Sequence, residues 1–305
     1  LPDSKKLGEL AVLYKNVGDG IDIEEANSSL VSTLQGFQME ASEAERIIDS
    51  FNEVSNNFAI SSGGIGEALK RSAAAFNAAN TDMNQAIALI TAGNEVVQNP
   101  EKIGTMWQTV SARIRGTKSE LEALGEETDN VISTSKLRDL VMGYTKVDIM
   151  EDENTYKDMY TIIREIGKVW DKLNDIDRAA LLEALAGKKQ SNTLAAVLNN
   201  YERLEKIYQT AENSAGSAMR EQEKYEDSLG YSLDQLTAHG EEFWKTFINK
   251  DDVKDFIDLI NTLISGVTKL VDTFGSIPTV AGILGGFQAI KKVGRPKTFG
   301  LKILF

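Results

Sequence analysis

The sequence predicts an all-α protein: a multi-helix bundle of amphipathic helices followed by a coiled-coil-like helical rod. Three observations predict it. None of the four prolines lies between Pro100 and Pro278, and proline is the residue a helix interior tolerates least. Apolar residues recur three and four apart along most of the chain. No alternating strand of convincing length is found. With 42% hydrophobic residues in 305, the chain can bury a sizeable core, and its length allows one large domain or two ordinary ones.

Taken in order, Ile47, Ile48, Phe51, Val54 and Phe58 form the first clear helical stripe, with Ser42 and Glu45 before it as a Ser-x-x-Glu capping box. Ser61-Ser62-Gly63-Gly64 reads as a break, and the next helix as running from about Glu67 through Ser72-Ala73-Ala74-Ala75. Small side chains there predict a close packing seam. Thr81 or Asp82 is expected to cap the helix carrying Ile87 and Ile90. Asn99-Pro100 is a helix entry, a capping Asn with Pro at the first helical position. It opens the stripe Ile103, Met106, Trp107, Val110 and Ile114, with Arg113 and Arg115 at the end favoured by the helix dipole.

Residues 116–155 are rich in Gly, Thr, Ser and acids and read as an irregular connection with a short helix at Leu137–Met142. Helical spacing resumes with Ile162, Ile163, Ile166, Val169, Trp170 and Leu173. Asn174 to Asp177 is a capping cluster ahead of Leu181, Leu182 and Leu185, and Gly187 reads as a helix stop. Leu194, Val197, Leu198, Tyr201, Leu204 and Tyr208 are expected to continue as one long helix beyond it.

The last third differs. Val253, Ile257, Ile260, Ile264, Val267, Val271 and Phe274 alternate spacings of four and three, a heptad seam. At ~1.5 Å per residue that stretch is a rod of roughly 33 Å. Phe256, Leu263 and Leu270 widen the stripe, so it reads either as an intermolecular coiled coil or as an amphipathic helix packed on its own domain. Ile277 to Ile290 is a short apolar run, below the ~20 residues of a membrane-spanning helix. The expected domains are 1–245, a folded helical region with the connection at about 116–155; 246–290, the heptad helix and apolar segment; and 291–305, a basic tail.

Charge follows the same division. The chain carries 33 basic and 46 acidic residues, a net charge of -13. Lys291, Lys292, Arg295, Lys297 and Lys302 all follow Ile290, where no acid occurs. The acidic body before them is expected to repel nucleic acid. The sequence opens on Leu1-Pro2 rather than Met, which reads as a fragment or processed product, and no basic-then-apolar leader precedes the first helical pattern.

Much enzyme chemistry is excluded by composition. There is no cysteine, hence no disulfide, zinc-thiolate site or cysteine nucleophile. The single histidine, His239, rules out two-histidine metal motifs and reads as a surface or helix-end residue. Gly187-Lys188 fails as a phosphate loop, because Leu182 and Lys189 stand where a glycine and a Ser/Thr are required. Gly18-x-Gly20 and Gly64-x-Gly66 lack a third glycine and a preceding strand, and read as turns or helix breaks. Asp19-Gly20-Ile21-Asp22 fails as a calcium loop, with Lys15 and Ala26 at its first and last ligand positions. The acidic clusters Glu126-Glu127-Asp129 and Glu151-Asp152-Glu153 fall in the least regular region and read as solvated charge, not a glycosidase pair. Trp107, Trp170 and Trp244 sit in or beside apolar stripes and read as core. No residue is assigned to catalysis, cofactor or metal.

Several segments carry a family likeness in order. They are Phe51 to Ser61 followed by Gly66 to Ala73; Ala86 to Gln98, Gly104 and Ser111 to Gly116; Leu181 to Gln190; and Ser214 to Ala218 ahead of Tyr225 to Leu229. Through about residue 290 the chain resembles the core region of tail tape-measure proteins of long-tailed bacteriophages and their prophages. Thr298 to Phe305 match no part of that pattern. The resemblance implies a non-enzymatic structural protein, without cofactor, that lies in the tail lumen of the virion and is made in the host cytoplasm. It implies a role in setting tail tube length, nucleating the tube with tail chaperones and tail-tip proteins, and release at genome ejection. The implied partners are further copies of the chain, the tube protein, chaperones and tip proteins, with contact to the host membrane also open. Even wholly helical, the chain would reach only about 460 Å, so residues 1–245 are expected to be a compact bundle and the heptad stretch the start of a rod. Three other readings stand beside this one: a membrane-active helical protein using residues 253–290, a murein hydrolase, and a secreted helical interaction protein of a toxin system.

Overall fold

Helices form here where one face is apolar and the free N–H groups of the first turn find an acceptor. The computed structural model describes residues 2–226, with side chains from Lys5 onward. Among the described residues are twelve α-helices, one 3-10 turn and no strand; the extended pairing is an isolated bridge between Met150 and Tyr156. The fold is all-α. The heptad stretch, the apolar run, the basic tail, His239 and Trp244 lie outside the described residues. Residues up to Glu223 form one compact unit.

Helix α1 (Pro2–Val17) turns through Gly18–Gly20 into α2 (Ile23–Gly36), where Asp22 accepts from the Glu25 N–H at 2.8 Å. A 3-10 turn, Ala41–Glu43, then feeds directly into α3 (Ala44–Asn57). The expected Ser42–Glu45 capping box is absent, because Ser42 lies inside that turn and the residue ahead of the helix is Glu43, which makes no side-chain cap. The backbone of the 3-10 turn supplies the acceptors instead. The apolar stripe of α3 is as expected, with Ile47, Ile48, Phe51 and Val54 buried.

Helix α4 (Ser62–Ala78) starts earlier than the expected Glu67. Ser61 caps it, accepting from the Gly64 N–H at 3.0 Å. Gly63 and Gly64 are covered by Ile21 and Pro100, and that packing offsets the low helix propensity of glycine. The small-residue seam is present: a Cβ added to Gly36 of α2 would stand 2.4 Å from Ala73 Cβ. On the other side, Ser111 Oγ of α6 (Pro100–Arg115) donates to the Ala75 carbonyl at 2.9 Å.

Helix α5 (Met83–Val97) begins with a complete capping box between Asp82 and Gln85. Every residue from Ala86 to Asn94 is buried. A helix buried on all faces is a central one, and α5 is packed by α4 and α6 from the first half and by α9, α10 and α11 from the second. Asn99 caps α6 at 2.9 Å to the Lys102 N–H, with Pro100 in the first turn. Trp107 is fully buried against Phe76.

Residues 116–155 hold more order than their composition implies. Helices α7 (Lys118–Ala123) and α8 (Thr134–Thr145) lie there, anchored by buried Leu121, Leu137, Val141 and Ile149. Helix α9 (Met159–Trp170) buries Ile162, Ile163, Ile166 and Trp170, and Trp170 Nε1 donates to Asn199 Oδ1 of α10 (Asp175–Asn199) at 2.8 Å. Asn174 caps α10 through the Asp177 N–H at 2.9 Å. Gly187 interrupts the helical run as expected: its φ of 68° and ψ of 175° are not helical, and α10 is two helical segments that meet at a kink there. The long helix expected from Leu194 to Tyr208 is corrected to two, because Asn200 leaves helical geometry (φ -115°, ψ 17°); the second, α11 (Glu202–Glu212), packs on α5 and α3, and α12 (Ser217–Glu226) follows.

Candidate functional site

Parts of the segments that carry the family likeness meet at two buried polar junctions. The first joins α6 to α10. Arg113 is only 3% exposed, and its guanidinium covers Gly187 so closely that an added Cβ would stand 2.5 Å from Nη2. Nη2 donates to the Glu127 carbonyl at 3.1 Å and to Asn130 Oδ1 at 3.4 Å. Burial pulls the guanidinium below its ordinary pKa, opposed by Glu126, Glu183 and Glu127. Beside it, Gln190 Nε2 donates to Glu126 Oε1 at 3.1 Å. Arg113 lies in the last turn of α6 as expected, and its side chain is buried where it splices the kink of α10 to the 125–130 loop.

The second junction joins α3 to the α11–α12 turn. Asp49 accepts from the Gly216 N–H through Oδ2 at 2.8 Å and from the Ala218 N–H through Oδ1 at 2.9 Å. Asn52 Nδ2 donates to Ser217 Oγ at 2.9 Å. Ser50 Oγ lies 3.2 Å from Ser214 Oγ and donates to Asn84 Oδ1 at 3.1 Å, while Asn84 Nδ2 donates to Glu212 Oε1 at 2.5 Å. Asp49, Ser50, Asn52, Asn84, Ser214 and Ser217 are all buried. Sequence reading passed over Asp49, although an acid between Ile48 and Phe51 on an otherwise apolar face is the signal that marks it.

The other residues singled out in the sequence are dispersed. Glu126 is buried and bound to Gln190, Glu127 pairs with Lys188 at 3.3 Å, and Asp129 is exposed. Glu151, Asp152 and Glu153 are exposed. Asp152 forms a turn, accepting from the Asn154 and Thr155 N–H groups, and those bonds hold its carboxyl below the usual carboxylate range. The two acidic clusters make no facing pair. Lys188 is spent on Glu127, and Lys189 donates to the Gly125 carbonyl. Asp19 bridges to Ser62 of α4, its N–H donating to Ser62 Oγ at 3.3 Å. Gly64 and Gly66 lie inside α4, where the expected break is corrected to a helix start. Trp107 and Trp170 are core residues. Among the described residues no group of three or more His, Asp or Glu is placed to hold a metal, and no helix is long and apolar enough to cross a membrane.

A family model described as "Phage-related minor tail protein" matches residues 3–187. No solved structure matches the chain.

Proposed function

The chain belongs to the family of phage-related minor tail proteins, and from that premise we propose that it is the tail's tape measure. In this reading the protein sets the length of the tail tube, nucleates tube assembly with tail chaperones and tip proteins, and leaves at genome ejection. It works as a structural protein and not as an enzyme, housed in the tail lumen after assembly in the host cytoplasm.

The heptad spacing from Val253 to Phe274 carries the proposal. A helix converts residue count to length at ~1.5 Å per residue, and a repeated apolar seam lets copies pair side by side. The bundle before it supports a division of labour, because a packed unit cannot serve as a ruler whereas a heptad stretch can. Duplicating residues 253–274 in frame in the parent phage is the test. Electron micrographs should show tails longer by a whole number of tube rings. Intact tails of unchanged length would remove this segment from the ruler, and dye leakage from liposomes treated with a peptide of residues 250–297 would then favour a membrane-active role.

A further inference from the structure

Two helices end at one pocket. Helix α2 stops at Gly36 and α4 at Ala78, and the chain turns left-handed just after each, at Gln38 and Asn80, both with φ 56°. Together with the start of α5, these ends wall a pocket of about 490 Å³. A helix C-terminus carries negative potential, which a basic residue in the last turn ordinarily offsets. Neither α2 nor α4 has one. Arg46 is the one cation among the lining residues, and it is paired with Glu43 at 3.1 Å.

The pocket adds a carboxylate. Asp82 lines it at the head of α5, where Oδ1 accepts from the Gln85 N–H at 2.8 Å. Its side chain reaches water, but the atoms crowded round it desolvate the carboxyl and raise its pKa; Glu212 and Asp158 add to the rise, and its backbone hydrogen bonds oppose it. A cation set beside Asp82 would be favoured by these charges together. Asn80 donates Nδ2 to the Tyr156 carbonyl at 3.0 Å and keeps Oδ1 as an acceptor. Half-buried Phe37 and Met39, with buried Met83, make an apolar wall that suits the methylene stem of a long basic side chain. Among the described residues no three carboxylates gather to hold a metal ion, so the donors suit an organic cation.

We propose that this pocket receives the basic side chain of a partner protein, with Asp82 and the two helix ends supplying the negative charge and Phe37 an aromatic face. Arginine is preferred to lysine, because a planar guanidinium can lie on the ring and donate to the carboxylate at the same time. The corner where α2, α4 and α5 meet is then a docking point for a partner that presents such a residue. The proposal does not rest on the tape-measure reading.

Methyl NMR on the whole chain tests it, because two of the seven methionines, Met39 and Met83, line the pocket, and Met106, buried in α6, is a control. The probe is N-acetylarginine amide, with N-acetylglutamine amide as its neutral counterpart. The arginine probe should shift the Met39 and Met83 methyls saturably and leave Met106 in place, while the glutamine probe shifts neither. Asp82→Asn removes the charge and keeps a good helix cap, and should weaken arginine binding about fivefold, the upper end for an exposed charge pair. Phe37→Leu should weaken it roughly threefold, the scale of an exposed cation–π contact. On the unaltered chain, added salt should weaken it as well. No saturable shift with the arginine probe would overturn the proposal, as would equal shifts with the glutamine probe or binding indifferent to both Asp82→Asn and salt. Tighter binding of putrescine, which has charge but no planar face, would overturn the assignment to a protein side chain.

Discussion

At Gly187 and at Gly216 the backbone turns through a positive φ, and at each a charged side chain from a distant helix closes the turn. The chemistry is parallel and the surroundings are not. Arg113 lies among Glu126, Gln190 and the 125–130 loop, and α10 buries Leu181, Leu185, Ala186, Leu194, Val197 and Leu198 on both sides of the bend. Asp49 holds a helix that buries two small residues. A buried charge next to abundant apolar contact becomes part of a core that opens only with the whole. The same device with less buried apolar surface on the capped helix makes a junction in which hydrogen bonds carry a larger share. The amount of apolar surface around each junction, and not the identity of the charge, decides which behaviour follows.

The largest effect should come from Gly187→Ala. The new Cβ would meet the Arg113 guanidinium, and alanine would be forced to a positive φ. Left-handed strain and overpacking together should cost roughly 2 to 4 kcal/mol, read as a lowered urea midpoint for the entire bundle. Arg113→Met should cost less, about 2 kcal/mol, by leaving the Glu127 carbonyl and Asn130 without their donor. In the double variant the clash is gone, so the combined loss should fall short of the sum of the singles. Strict additivity would show that Arg113 and Gly187 do not share one junction. Asp49→Ala belongs below both on the same urea axis, because it removes two hydrogen bonds without adding strain or overpacking. A midpoint shift as large as that of Gly187→Ala would erase the distinction between the two regions.

The legible part of the fold is the part written in local chemistry. Asp82, Asn99 and Asn174 each cap within three residues, and the stripes of α3, α6 and α9 repeat every three to four. The misread points are those where a distant contact decides. Ser61 starts α4 because Ile21 and Pro100 cover its glycines. At Gly187 the stop itself is legible, and what is not is the Arg113 guanidinium that fills the space beside it. In α7 buried Leu121 anchors a helix where the composition reads as loop, and α8, Thr134–Thr145, extends the short helix expected at Leu137–Met142. The two junctions are half visible: Arg113, Gly187, Gln190, Asn52 and Ser214 to Ala218 fall in the segments of the family likeness while Asp49, Ser50, Asn84 and the 126–130 loop do not, and what ties Arg113 to Gly187, or Asp49 to Gly216, is a separation no window on the sequence spans.

A surface fork marks the low end of the same scale. Arg138 Nε and Nη2 donate to Asp148 Oδ1 and Oδ2 at 2.7 and 2.5 Å, joining α8 to the segment that follows it. Both side chains are partly exposed, 39% and 29%, so solvent screens the pair. Hydrogen bonds from Arg138 hold the Asp148 carboxyl below the usual carboxylate range. A carboxyl with a depressed folded pKa stabilises the fold fully above its unfolded pKa, and that contribution is lost as pH falls through the folded pKa. Asp148→Asn should therefore lower stability slightly at neutral pH and flatten its decline below about pH 4, where an unperturbed aspartate titrates. The wild-type and Asp148→Asn curves should converge at the acid end. Their remaining parallel down to pH 2 would mean that the fork's charge contributes nothing and that its role is geometric. The fork makes as many close bonds as Asp49 does and is as well formed, but it lies on the surface. If its removal shifts the urea midpoint less than Asp49→Ala does, desolvation strengthens the buried junction over the surface fork; if the two shifts are equal, burial at the α3–α12 junction adds nothing to its hydrogen bonds.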